Sequence, residues 1–397
     1  MSRAAELEPK WAEHSAAWRD PDGVVAWQES ASAVDPALLR TRVRGRFWEV
    51  LAERSLTLLV TREYEHLVIG LSAPDGRPRP SHMPLPHPSG IAVDATTRLV
   101  YVAATRNPNQ LVTLSPLDHL EARSDMPADP PDGNPLMPVR TRFLPGCLYL
   151  HDLALVGGVL HGNAVGENAV VRFGKDGGVD RVWWPKAIET TEGPDFSRNY
   201  LQLNSIAAGP TVARSFFSAS TDRRGRLRPG HRSFPVDGRG VVMSGKTREP
   251  IVRGLTRPHS ARLSDGRLWV ANSGYGALGH ADGDRFEPTV KFSGWTRGLC
   301  FAGGLAFVGT SRVIPRFRQY APGLELDRSE CGVHIVDAVR GEVLGSLIWP
   351  EGNQIFGIEA IASETTWGFP QRSDRKASAR RTARLYYSFQ VQEKTSK

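Results

Sequence analysis

The 397-residue chain has only three cysteines (Cys147, Cys300 and Cys331), and none stands in a Cys-x-x-Cys pair. That excludes a closed disulfide framework. No run of about 18 consecutive apolar residues occurs, so no membrane span is expected. The opening residues, MSRAAELEPKWAEHS, lack the apolar stretch of a secretory signal and carry early acids. A cytoplasmic protein with reduced thiols is the resulting expectation. There is no Gly-x-Ser-x-Gly elbow, and no His-x-x-x-His.

What is present is turn chemistry and short apolar runs. Gly (39) and Pro (29) are spread along the chain, and 40% hydrophobic residues suffice for a large core. Frequent turn residues between brief apolar segments favour an all-β protein over a helical bundle. The formal charge is +8, which raises nucleic acid, anionic membrane or an acidic substrate as partners. Much of that charge sits in stretches such as Arg223-Arg224-Gly225-Arg226 and the segment from Arg372 to Arg384. No RNA-binding aromatic signature accompanies them, so a solvated basic surface is expected rather than a nucleic-acid site.

Residues 1–54 differ from the rest. Asp35 followed by Pro36 is a helix start, and the apolar positions from Pro36 to Leu51 predict a helical N-terminal extension. From residue 55 to 397 the period is that of strands, and a unit recurs. It begins as HPSGIAVDATTRLVYVAA at His87 and returns as YLHDLALVGGVLHGNAV at Tyr149 and QLNSIAAGPTVARSFFSAS at Gln202. It returns again as RPHSARLSDGRLWVANSGYG at Arg257, WTRGLCFAGGLAFVGTS at Trp295 and IFGIEAIAS at Ile355, the last followed by RLYYSFQ at Arg384. Each unit is a polar residue, a short strand, a Gly/Asp turn and a second strand, the rhythm of a propeller blade. The units predict an all-β, six-bladed β-propeller, closed by strands near residues 55–71 joining the blade that ends with RLYYSFQ. Residues 363–382 are expected to be a flexible basic insertion. A divergent extra blade could lie in 105–145.

Alignment of the units stacks Ser89, His151, Asn204, His259, Arg297 and Phe356. First strands of a propeller run along the axis, so this column converges on a central channel. Polar residues there are costly unless partnered, about 1–3 kcal/mol each, which marks the column as a candidate site. His151 and His259, two units apart, are candidate metal ligands or acid/base groups, with Asn204 between them as a third metal ligand or a substrate contact. A divalent metal ion is the candidate cofactor. The alternative is a network of mutual hydrogen bonds and buried water. Arg297 is a candidate catalytic and substrate-binding residue, holding an anionic group, or else the partner of Glu359 or Asp152. His87, Gln354 and Glu359 are further candidate substrate contacts. The turns Asn163–Asn168 and Asn272–Gly276 are expected where Asn and Gly accept unusual backbone angles.

SLTLLVTREYEHLVIG, YLHDLAL, LNSIA, RPHSARLSDGRLWVANSGYG, TRGLCFAGGLAFVGTS, CGVHIVDAVRGEVLG and GNQIFGI carry a family resemblance. Through them the chain resembles an uncharacterised bacterial family of six-bladed β-propellers and, more distantly, the NHL, gluconolactonase and strictosidine-synthase-like propellers. The resemblance implies that His151, Asn204, His259 and Arg297 fall on family positions. It also implies a carboxylate near Gln354, where this chain has an amide, and a different turn where it has Glu63-Tyr-Glu-His. The expected function is that of a hydrolase or a lyase/isomerase acting on a small anionic or polar metabolite. The competing class is a non-catalytic propeller that holds a protein or glycan on its rim. Oligomeric state is not specified by these residues.

Overall fold

The computed structural model describes residues 34–106, 109–122, 132–144, 146, 148–174, 177–372 and 389–391. Six antiparallel sheets, each of four or five strands, stand around one axis. Blade two is Pro88–Asp94, Leu99–Ala104, Gln110–Pro116 and Leu136–Phe143 from the axis outward. Blades three, four, five and six begin with Leu150–Val156, Leu203–Ala207, Pro258–Ser264 and Trp295–Ala302. Blade one is the closing blade. Its innermost strand is Ile358–Ala362, paired with Leu56–Arg62, followed outward by Leu67–Ser72 and Arg79–Pro84. The inner strands touch their neighbours in a complete circle, with Ile358–Ala362 against Pro88–Asp94 as the last contact.

Strand periodicity explains the packing. Successive side chains point to opposite faces, so each blade serves two neighbours. Leu58 and Val60 pack with Leu305, Phe307 and Val333 of blade six, whereas Leu59 packs with Ile91, Val100 and Val102 of blade two. The pattern repeats around the ring, and one apolar cluster fills each of the gaps between adjacent blades. Among the described residues, the stretch 105–145 holds the outer strands of blade two and no seventh blade.

Closure follows the expectation, with one strand exchanged. The partner of Ile358–Ala362 is Leu56–Arg62 rather than RLYYSFQ, and Phe389–Val391 instead pairs with Leu120–Ala122; residues 384–388 lie outside the described residues. The N-terminal segment also departs from a single helix. Asp35 Oδ1 accepts from the Ala37 amide at 2.8 Å and starts a helix at Pro36–Leu39. Arg42–Gly45 then adds a strand to the edge of blade six, and a second helix spans Phe47–Glu53. Gly45 ends that strand with a φ of +62°, which few other residues adopt. Of the expected insertion, residues 363–372 are ordered: Phe369 is buried in the core between blades one and two, and Gln371–Arg372 pairs with Arg79–Pro84. Residues 373–382 lie outside the described residues.

Each inner strand of blades two to six carries a register shift near its start, at 88–91, 150–153, 203–205, 259–262 and 296–299. These are β-bulges, which bend a strand and re-aim one side chain. The aligned polar column falls inside or at the edge of every one of them. The residues just after the column are Gly90, Asp152, Ser205, Ser260, Gly298 and Gly357, and they face the next blade. A Cβ on Gly90 would lie 2.5 Å from the Leu153 amide nitrogen. Ser205 Oγ accepts from the Ala261 amide at 2.8 Å, Ser260 Oγ from the Gly298 amide at 2.8 Å, and Asp152 Oδ2 from the Ile206 amide at 2.9 Å. Gly90→Ala therefore wedges blades two and three apart. It is expected to cost about 1–3 kcal/mol, as overpacking typically does, and to lower the thermal midpoint by several degrees. An unchanged midpoint would refute the close approach.

Candidate functional site

The bulges open a cavity of about 480 Å³ at the end of the axis where the inner strands begin. Its floor comes from the column: His151, His259, Arg297 and Phe356 all line it. Gln354 lines it as well, with Oε1 lacking a hydrogen-bond partner among the described residues. Asn204 lies behind this surface. Its Nδ2 donates to Pro258 O at 2.8 Å and Ser220 Oγ at 3.1 Å, tying blade four to blade five, while Oδ1 has no regular hydrogen bond among the described residues.

The other sequence candidates lie elsewhere. His87 is buried and does not line the cavity; its ring meets that of His66 edge-on at 4.5 Å, and its amide donates to His66 Nδ1. Glu359, three residues past the column, faces the ring further along the strands. There Arg262 binds Asp152 through two hydrogen bonds of 2.7 and 3.1 Å and lies 3.8 Å from Glu359. Both carboxylates considered as partners of Arg297 are therefore engaged by Arg262. Burial pushes the Glu359 carboxyl up to about 7, against the pull of Arg262.

One register of lining residues was not anticipated from the sequence. Two positions before the column stand His87, Tyr149, Gln202, Arg257, Trp295 and Gln354, and all but His87 line the cavity. His87, Tyr149, Gln202 and Arg257 have φ between +46° and +54°, an uncommon conformation for such residues. The backbone turns inward there before entering the bulge. The signal was available: every unit has a large polar or aromatic residue at this offset. Glu63 and Tyr64 also line the cavity, from the turn Glu63–Glu65. Similar turns at Val165–Glu167 and Ser273–Tyr275 end in left-handed Asn168 and Gly276.

The hydrogen-bond pattern fixes the state of His259. Its Nδ1 lies 2.7 Å from Arg257 O, a carbonyl that can only accept, so Nδ1 carries the proton. Ser273 Oγ, 3.1 Å from Nδ1, donates its own proton to Thr296 O at 2.6 Å and so supports the same assignment. Nε2 is left with a lone pair and no partner among the described residues. His151 Nδ1 is likewise unpartnered, and the ring packs edge-on against Tyr149 and Phe356. Burial first, then the charges of Arg297 and Arg257, hold both imidazoles well below the usual histidine range, with Asn204 pulling His151 the other way.

Two guanidiniums dominate the electrostatics. Arg297 lies over the Phe356 ring, 3.2 Å from its centroid, with Nη2 unpartnered. Arg257 donates to Gln202 Oε1 at 2.9 Å and stacks on Tyr320 at 4.3 Å. Neither has an ion pair among the described residues, and burial lowers both to about 10. Glu63 is the one carboxylate among the lining residues; it accepts from Thr105 Oγ1 and pairs with Arg106 at 3.3 Å. No group of three His, Cys, Asp or Glu side chains capable of holding a metal occurs among the described residues. Two imidazoles with no third His, Cys, Asp or Glu ligand among the described residues, set beside two guanidiniums of which only Arg297 feels the Glu63 carboxylate, do not fit a resident divalent cation, whose charge the guanidiniums would repel. The same groups suit an anion.

A closed ring of blades with a polar cavity at one end of its axis defines a six-bladed β-propeller with a candidate small-molecule site in its channel. The chain belongs to the family described as Domain of unknown function (DUF4915), which matches residues 45–366. No curated protein matches it. Among solved structures, the nidogen/laminin complex aligns at a TM-score of 0.52 and 9% identity, covering 78% of this chain and 99% of that one. A gluconolactonase from Xanthomonas campestris aligns at 0.43 and 14% identity, covering 67% and 77%. Virginiamycin B lyase from Staphylococcus aureus aligns at 0.39 and 13%, covering 73% and 76%. These likenesses concern the fold. No helix among the described residues is long and apolar enough to cross a membrane.

The buried histidines make stability depend on acid. His82 and His334 are lowered to about 4 by burial, and His151 and His259 also lie below their usual value. Below about pH 6.5 the unfolded chain takes up protons that the folded chain refuses, so stability falls as pH drops. Each such histidine contributes a slope of up to about 1.4 kcal/mol per pH unit between about pH 6.5 and 4. Urea midpoints at pH 7, 5.5 and 4.5 should fall steadily, and His334→Gln should flatten the slope by one histidine's share. A flat profile would contradict the buried neutral state.

Proposed function

We propose that the protein is an enzyme acting on a small anionic metabolite, bound in the channel with its anionic group on Arg297 and Arg257. The observation that carries this reading is the pair of buried guanidiniums without carboxylate partners. An unpaired buried charge costs several kcal/mol, and a bound carboxylate or phosphate offsets that cost through charge-assisted hydrogen bonds. Beside them stand two neutral imidazoles, so placed that a proton on His151 would oppose one on His259. His259 Nε2 can take a proton from substrate or water, because its Nδ1–H is anchored on the Arg257 carbonyl. As the anion neutralises the guanidiniums, the His259 pKa rises and the base strengthens. In this reading His151 returns the proton; its packing against Tyr149 and Phe356 supports a site with little water around it. Proton abstraction next to a carboxylate gives a lyase or isomerase; activation of water gives a hydrolase.

This reading uses no resident metal. Elemental analysis of the purified protein is expected to find no stoichiometric divalent ion, and finding one that His151→Ala/His259→Ala removes would restore the metal-assisted alternative. With a turned-over substrate in hand, His259→Gln should lower kcat by about 10²–10⁴-fold with folding intact. Arg297→Met should chiefly weaken binding of the anion. A rim-binding scaffold is the competing function, and it predicts that partner binding survives all of these changes.

A further inference from the structure

The segment joining Phe216–Ala219 to Gly240–Ser244 in blade four runs over the cavity mouth, whereas the corresponding connections in blades three and five are turns of a few residues. It is anchored at two points. Gly230 O accepts from Tyr320 Oη at 3.2 Å, and Pro229 O accepts from Arg257 Nη1 at 3.4 Å. On either side of this anchor Arg228 and Arg232 line the cavity. Of the arginines on and beside this segment, Arg224 pairs with Asp195 at 2.6 Å, and Arg223 and Arg253 with Asp222, whereas Arg226 and Arg239 do not line the cavity. Arg228 and Arg232 have no ion pair among the described residues and are exposed, while Arg257 and Arg297 are 4% and 5% exposed. Positive charge is therefore held at two depths of one cavity, with the aromatic side chains of Tyr149, Trp295 and Tyr320 among its walls.

We infer that the ligand carries two anionic groups, an inner one on Arg257 and Arg297 and an outer one on Arg228 and Arg232. The inference rests on the anion-binding reading proposed above and narrows it to bis-anionic small molecules, such as phosphorylated carboxylic acids. Phosphate suits the outer position, where exposed guanidiniums meet a doubly charged group without a large desolvation cost.

Three probes separate the two positions: glycerate, glycerol 3-phosphate and 3-phosphoglycerate, titrated calorimetrically at fixed ionic strength. In the native protein 3-phosphoglycerate is expected to bind at least about tenfold tighter than glycerate, the difference of one further charge-assisted contact. Arg228→Gln/Arg232→Gln should reduce that advantage to under about threefold and leave glycerate unchanged. Arg224→Gln, on the same segment but paired to Asp195, should preserve the advantage. If the single anions bind and 3-phosphoglycerate gains nothing, or if the double variant weakens all three probes equally as diffuse attraction would, the second anion position is refuted and the inner site stands. If none of the three binds, and Arg297→Met changes nothing, the anion-binding reading itself fails.

Discussion

Everything in this molecule depends on how the inner strands approach the axis. Six strands converging on one line cannot all continue regular pairing from end to end without colliding. The chain resolves the conflict with a bulge near the start of five of them and a small residue or a hydrogen-bonding side chain directly after the column. Gly90 permits contact between backbones, Gly298 leaves room for the side chains of Ile355 and Ile358, and Asp152, Ser205 and Ser260 bind amides of the adjacent blade. One local device thus joins blade to blade and turns a polar side chain toward the channel. Architecture and candidate site are two results of the same backbone irregularity.

That coupling explains why the cavity holds groups that a core would reject. The six large apolar clusters lie in the gaps between blades, and the cavity end of the axis is lined mainly by polar and aromatic residues. Further along the same strands, Arg262 meets Asp152 and Glu359 and its charge is met within the protein. On the cavity floor Arg257 and Arg297 form no such ion pair among the described residues. The two levels have the same geometry and opposite charge balance, so the difference lies in the side chains rather than in the fold.

The blades were legible because each repeats one pattern, a polar residue, a strand, a tight turn and a strand, and the period of two along each strand marks both packing faces. His151, His259, Arg297 and Gln354 were found because the repeat put them in register or next to it. Tyr149, Gln202 and Arg257 were missed because a plain alternating strand gives residues two apart the same direction and no reason for a second ring. Only the left-handed backbone at these positions bends them over the cavity. Glu359 was misplaced because it lies three residues past the column and Ile358–Ala362 pairs in unbroken register with Leu56–Arg62, so no bulge turns it back toward the cavity. His87 was misread because its burial against His66 depends on a turn distant in sequence. The Pro36 helix stops early because the edge of blade six accepts Arg42–Gly45 as a strand, which no local propensity reveals.

The closing blade has a consequence for synthesis. Leu56–Arg62 emerges early, but the strand that covers its inner edge follows roughly 300 residues later. At the usual elongation rates of about 5–20 residues per second, that edge waits some 15–60 s with its amides and carbonyls unmatched. Adjacent blades can assemble in order during this interval, yet the circle cannot lock until Ile358–Ala362 arrives. Until then the nascent chain is an open arc with an unpaired edge, and that edge is where a ribosome-bound chaperone would act.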